Sequence, residues 1–337
     1  MLLNRKRALY SKKKRFKKKY SKKQIEIKCN KPTTKILLLI FVLLEIRFNH
    51  PVYKLFIKAL NTKKTKVCLC AIAKWENLYL KFYIEHYRHL GYDHIYLYDN
   101  NNIDDEKVED LIKKYINNGF VTLIDYRGYR GKKNNPQMEA YYDCYDKHYQ
   151  EYDWLSFFDL DEYLILKPKG IKIDDFLESE RYKDCPIVKI NWLLYSDNDQ
   201  IEYENKPFTK RFTKLSKHKS TGSTIKSIMR GNISYQNFSK SYSPHYLYKK
   251  TKSCSSSGKP SQSTYYINPP DYKFAILNHY TRTISEYVKK IKRGRAVVES
   301  VLSKGRLKHF FNSFFAGNNK THEKVKIFND AFNTSFE

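Results

Sequence analysis

What the chain lacks narrows it first. Its six cysteines (Cys29, Cys68, Cys70, Cys144, Cys185, Cys254) show no metal-ligand or disulfide-framework spacing, which argues against a zinc module or a disulfide-stapled scaffold. Cys68 and Cys70 lie two apart in an apolar run, share one face and read as packing residues, a pattern that fits a reducing compartment. A membrane-spanning run is also missing: "ILLLIFVLL" (Ile36 to Leu44) holds nine apolar residues, where a spanning helix needs roughly 20. The same segment begins too late for an ordinary signal peptide. No GxGxxG follows the first apolar strand and no GxxxxGK[ST] occurs, which argues against dinucleotide and P-loop chemistry. Acids are scarce, 35 against 64 Lys and Arg, so the net charge is +29.

That charge is uneven. The first 35 residues carry 15 Lys/Arg and one acid, Glu26, leaving only +15 for the remaining 302. A basic arm over 1–34, followed by a short apolar segment and linker over 35–60, suits an anionic membrane surface touched through residues 1–46. Nucleic acid is the other polyanion to weigh. No recognised binding motif is present, and the charge sits in a tail rather than on a folded face. The 41% hydrophobic and 16% aromatic content requires a folded body, placed over 61–300, with a helical extension over 301–337.

From Lys66 strands and helices alternate. "KVCLCAIA" (66–73), "DHIYLYD" (93–99), "FVTLID" (120–125) and the run from Trp154 read as strands. "NLYLKFYIEHYRHLG", "DDEKVEDLIKKYINNG" and "PQMEAYYDCYDKHYQ" read as helices between them. The expected fold is α/β, a Rossmann-like, mostly parallel sheet with helices on both faces and a helical C-terminal segment. Further strands are expected over 186–195, 208–215, 223–230 and 273–280. "KKTKSCSSSGKPSQS" (249–263) reads as a mobile loop, and 285–337 as helical.

Ligands of such sheets bind beyond the carboxyl ends of the strands, where "WLSFFDLDEYL" (154–164) turns from apolar to acidic. In extended backbone Asp159 and Asp161 would share a face, with Leu160 turned to the core. Two carboxylates so placed call for a divalent cation, and their hard oxygens suit Mn²⁺ or Mg²⁺ with positions left open for substrate phosphates. The bland alternative is a solvated acidic turn.

The segments "AIAKWENLYLKFYIEHYRHLGYDHIYLYDNNNID", "PQMEAYYDCY", "DWLSFFDLDEYL", "INWLLYSDND", "KSIMRG", "PHYLY" and "NHYTRTISEYVKKIKRGR" together resemble glycosyltransferase family 92, of the GT-A fold, over about residues 66–296. The resemblance implies transfer of a hexose, galactose favoured, from a UDP-sugar to a glycan, lipid-linked or protein-linked hydroxyl, with inversion and a metal ion. It implies that Asp159 and Asp161 are the D-x-D pair and that His279 is a further metal or diphosphate contact. By residue chemistry alone His279 reads equally as a packed histidine. Asp99 matches the acid that meets the nucleoside, although "DNNNIDD" is also rich in turn formers. Lys74 and Glu76 stand where relatives read K-N-E, with Trp75 replacing the Asn, a departure that also leaves room for an inactive sugar-binding protein. Gln137 matches a Gln before the D-x-D strand.

The reaction also needs cations for the developing diphosphate charge, for which Lys226, Arg230, Arg282, Lys289, Lys290, Arg293 and Arg295 are candidates, and a base for the acceptor hydroxyl. Asp197 in "YSDND" is the expected base, with Asp199 second, and Trp192 either stacks on an acceptor ring or fills the core. The cysteine pattern suggests a cytoplasmic protein or one at the cytoplasmic membrane face, with a Golgi-type anchored protein as the alternative.

Overall fold

The computed structural model describes residues 64–129, 135–218, 222–233, 245, 252–261, 266–294 and 303–337. The basic arm, the apolar segment over 36–44, Cys29 and Arg295 lie outside them. The chain divides into two units, Met1–Lys63 and Lys64–Glu337, and the second carries the elements below.

In chain order these are β1 (Val67–Ala73), α1 (Asn77–Leu90), β2 (His94–Asp99), α2 (Glu109–Asn117), β3 (Val121–Asp125), α3 (Pro136–His148), β4 (Trp154–Phe157) and β5 (Glu162–Leu166). Then come α4 (Ile173–Leu177), β6 (Ile187–Tyr195), α5 (Phe208–Arg211), β7 (Ile225–Arg230), β8 (Ala275–Tyr280), α6 (Ile284–Lys292), α7 (Lys304–Gly317) and α8 (His322–Phe332). Eight strands form one sheet in the order β3-β2-β1-β4-β7-β6-β8-β5. The half β3-β2-β1-β4 is parallel throughout, as the alternating pattern requires. Beyond it β7 runs antiparallel to β4 and β6, and β5 antiparallel to β8. The nine residues of β6 serve two neighbours: Ile187–Asn191 pair with β7, and Trp192–Tyr195 with β8.

The period of two in β1 separates two cores. Val67, Leu69, Ala71 and Ala73 face Tyr79, Tyr83 and Tyr87 of α1, whereas Cys68 and Cys70 face Met138, Tyr141 and Tyr145 of α3. Helices therefore cover both faces. Local chemistry fixes their ends. Gly91 takes φ 93° to close α1, and Asn135 accepts from the Met138 amide ahead of Pro136 to open α3. Helices α6, α7 and α8 share an apolar cluster of Ile284, Val288, Leu307, Phe311, Phe314 and Phe328, so the C-terminal helices pack on the helix that follows β8. Among the described residues no helix is long and apolar enough to cross a membrane.

Four expectations are corrected. The 208–215 segment is helical at its start: Phe208 and Phe212, four apart, both bury themselves, and Pro207 opens the turn. The cysteines pair, as Cys70–Cys144 and Cys185–Cys254, leaving Cys68 the free cysteine among the described residues. The described part of the Ser-rich segment is a hydrogen-bonded loop with Ser253–Ser256 buried, because the Asp271 carboxylate accepts from the hydroxyls of Ser255, Ser256 and Ser257 and the amides of Ser257 and Lys273. Finally, β4 stops at Phe157, and the D-x-D residues lie on a turn into β5 rather than along a strand.

Candidate active site

That turn is built reciprocally. The Asp159 carbonyl accepts from the Glu162 amide at 3.0 Å, and the Glu162 carboxylate accepts from the Asp159 amide at 2.8 Å. Two tyrosines one helical turn apart on α1 hold it from the core: Tyr83 donates to the Phe158 carbonyl (3.0 Å) and Tyr87 to the Glu162 carbonyl (2.8 Å). The Tyr280 amide of β8 donates to the Asp161 carbonyl. With Leu160 buried, the backbone is fixed and the two aspartates have different neighbours.

Asp159 accepts from Gln137 at 2.6 Å and from the Tyr141 hydroxyl at 3.0 Å through Oδ1, while its Oδ2 lies 3.0 Å from the Lys226 ammonium. Lys226 is fully buried and also sits 3.6 Å from Glu162. Burial would raise the Asp159 pKa, but Lys226 overrides it and the group is lowered. Burial likewise would lower Lys226, yet Asp159 and Glu162 raise it. Glu162 goes the other way, driven well above its ordinary value by burial against the pull of Lys226. Being enclosed, Lys226 is a counter-ion to these acids rather than the surface phosphate contact expected of it.

Asp161 divides its oxygens. Its Oδ1 faces His279 Nε2 at 3.6 Å, and its Oδ2 takes Lys290 at 2.6 Å and Arg282 at 3.5 Å. Burial opposes ionisation, but Lys290, His279 and Arg282 hold the group well below the ordinary carboxylate range. The β5–β8 register sets His279 opposite Glu162, and its ring stacks on Trp192 at 4.2 Å and 12°. One face of Trp192 is thereby committed to His279. The gap between Asp161 Oδ1 and His279 Nε2 is 3.6 Å, and His279 Nδ1 makes no hydrogen bond among the described residues. Asp159, occupied on both oxygens, is not brought to that pair. Among the described residues no three of His, Cys, Asp and Glu form a group that could hold a metal ion.

Glu76 follows the β1 edge and accepts from Arg282 at 2.8 Å on both oxygens and from Arg293 at 2.7 Å. Arg282 is buried at φ 73°, with its guanidinium over the Tyr79 ring. Trp75 stands at φ 52°, held by Asn101 on its amide and Asp105 on its indole N–H. Bulky residues in this region cost about 1–3 kcal/mol each, and both cases flank the Glu76 network. Asp99, buried at the end of β2, accepts from the Asn101 amide and side chain, so the first two loops are tied together. Lys74 begins the first of them. Arg282 therefore bridges Glu76 and Asp161, and Arg293 holds Glu76 alone.

Asp197 and Asp199 stand apart from this group. Asp197 is buried, 2.7 Å from the equally buried Lys324 of α8, and its amide donates to Asn318. Lys324 and Asn319 also contact Asp199. None of these hydrogen bonds or ion pairs reaches Asp159, Asp161 or His279. The expected base is thus a strut joining β6 to the C-terminal helices, and burial raises its pKa against Lys324. Sequence reasoning missed the Tyr83/Tyr87 support, for which the four-residue spacing was the available signal. It also missed Lys324, which carries none.

Ligands of open α/β sheets bind beyond the carboxyl ends of the strands, and Asp99 and the D-x-D turn lie at such ends. The model of Glycosyltransferase family 92 matches residues 63–314, and the chain belongs to that family: it is a glycosyltransferase. Two crystal structures of S. aureus TarS are similar at a distance. One, of residues 1–349, has TM-score 0.31 and 11% identity, covering 74% of this chain and 71% of that one. The other has TM-score 0.32 and 12% identity, covering 79% of this chain and 49% of that one, about half its length. Values this low establish no residue correspondence. No curated protein matches the chain.

Proposed function

We propose that the enzyme transfers a hexose, galactose favoured, from a UDP-sugar to a glycan, lipid-linked or protein-linked hydroxyl with inversion. Asp161 and His279 would hold Mn²⁺ or Mg²⁺, which when bound supplies charge neutralisation for the diphosphate leaving group. The observation that carries this reading is the divided Asp161 carboxylate, one oxygen toward His279 and one toward two cations, on a backbone pinned by Tyr83, Tyr87 and Tyr280. Glu76 fixes Arg282 and Arg293 so that positive charge borders the leaving group without rearranging. Gln137 and Lys226 keep Asp159 ionised and oriented, and Asp99 with Asn101 suits ribose or uracil hydrogen bonds. Trp192, stacked on His279 and met edge-on by His245, is the aromatic candidate for the acceptor ring.

The two disulfides favour an oxidising compartment, and so the Golgi-type alternative over the cytoplasm. UDP release from UDP-galactose, with and without Mn²⁺, tests the reading. Asp161→Asn is expected to lose at least about a hundredfold in metal-dependent turnover with its circular dichroism unchanged. Full turnover by that variant would refute it.

A further inference from the structure

The C-terminal helices reach the site from beyond the family match, which ends at residue 314. Asn318, directly after α7, is buried; its Oδ1 accepts from the Asp197 amide at 2.7 Å and its Nδ2 donates to the Phe314 carbonyl at 2.9 Å. Lys324 of α8, fully buried, holds the Asp197 carboxylate at 2.7 Å and Asp199 at 3.3 Å. The loop so held has two consecutive left-handed residues, Asn198 at φ 53° and Asp199 at φ 63°, a conformation that persists where the surroundings enforce it. It follows Tyr195, the last residue of β6, whose carbonyl accepts from the Thr281 hydroxyl at 3.0 Å and the Thr281 amide at 3.4 Å. Thr281 Oγ1 also lies 3.5 Å from Asn318 Oδ1. The next residue is Arg282, at φ 73° and bonded to both Glu76 oxygens and to Asp161. A continuous series of contacts thus joins α7 and α8 to the guanidinium between Glu76 and Asp161.

We propose that Asn318 is a positioning residue for the transfer: it fixes the Asp197 loop and, through Tyr195 and Thr281, sets the backbone from which Arg282 faces the leaving diphosphate. The inference rests on the donor reading of the site given above. A charge aimed at the leaving group acts as the bond breaks, so a small displacement of Arg282 costs rate more than binding. Lys324 grips the same loop, but Lys324→Met strips two acids of their counter-ion and confounds position with stability. Asn318 is neutral and separates the two.

UDP release from UDP-galactose with Mn²⁺, at a temperature where circular dichroism shows every variant folded, tests this on Asn318→Ala, Thr281→Val, their combination and Ser303→Ala. The last removes the cap at the far end of α7 and costs stability without touching the series. Asn318→Ala and Thr281→Val are each expected to lower kcat about tenfold with KM within about twofold of wild type. The combination should lose no more than either, because both cut one series. Ser303→Ala should melt lower and turn over like wild type. Wild-type kcat in folded Asn318→Ala overturns the inference, and so do losses that multiply to about a hundredfold in the combination, which would mean two separate effects. An equal loss in Ser303→Ala reduces Asn318 to a stabilising residue and overturns it as well. A wild type that releases no UDP overturns the donor reading itself, and the inference with it.

Discussion

Replacing Lys226 by Met would probe the buried charges most directly. The ammonium lies 3.0 Å from Asp159, whose side chain is 32% exposed, and 3.6 Å from the fully buried Glu162. Removing one partner of such a pair leaves an uncompensated carboxylate and costs about 3–5 kcal/mol. The pH dependence has a definite sign. In the wild type the folded pKa of Asp159 is lowered, so its contribution is present above the ordinary range near 4 and fades as pH falls. Without Lys226, burial acts unopposed and the folded pKa rises, so the variant regains stability as pH falls from 8 toward 5. Glu162, already raised by burial, moves the same way. Urea denaturation followed by tryptophan fluorescence at pH 8 and pH 5 should show a deficit of about 3–5 kcal/mol at the higher pH, shrinking at the lower. Lys226→Met combined with Asp159→Asn should recover most of it. A deficit under about 1 kcal/mol at pH 8, or one independent of pH, would refute the placement of this ammonium as the acids' counter-ion.

Three further outcomes are expected. Thr283→Ala removes the reciprocal cap of α6 and should cost about 1 kcal/mol in thermal denaturation; no loss would mean the cap carries no weight. Asp271→Ala strands three serine hydroxyls and two amides and should cost about 2 kcal/mol. Since the Asp271 pKa is depressed to about 2 against the effect of burial, by Ser255 and Ser257, its stabilisation holds at neutral pH and is lost as pH falls from about 4 toward 2. A wild type whose stability stays flat over that range would contradict it. Reduction of Cys185–Cys254, or Cys254→Ser, should lower the melting temperature in step with about 2–4 kcal/mol, and identical melting with and without reductant would count against that bridge.

Much of the fold was legible because the sequence alternates cleanly where the sheet is parallel. β1, β2 and β3 are apolar runs closed by turn residues, and each helix between them has a recognisable stop. The misreadings share a physical source. Phe208 and Phe212 satisfy a period of two and a period of four alike, and only the preceding Pro207 favours the helix. The Ser-rich loop looked mobile because its partner Asp271 lies outside it in sequence. The disulfides join cysteines 74 and 69 residues apart, a proximity created by β1 lying under α3 and by Cys254 bridging beside β6. At the site, residue chemistry marked Asp159 and Asp161 together and could not separate them, because the turn that sends them to different neighbours is set by Tyr83, Tyr87 and Glu162. Asp197 looked catalytic since the charge that claims it arrives from Lys324, 127 positions later.

β6 is read twice along its length, by β7 through Asn191 and by β8 from Trp192 onward. Because side chains alternate sides, inserting one residue at that junction would swing Trp192 off His279 while every pairing with β7 survived. This strand works as a common ruler for both halves of the sheet. Drift in length is tolerable in the surrounding connections and ruinous here, where a single added residue would put the histidine and its stacking partner on opposite sides.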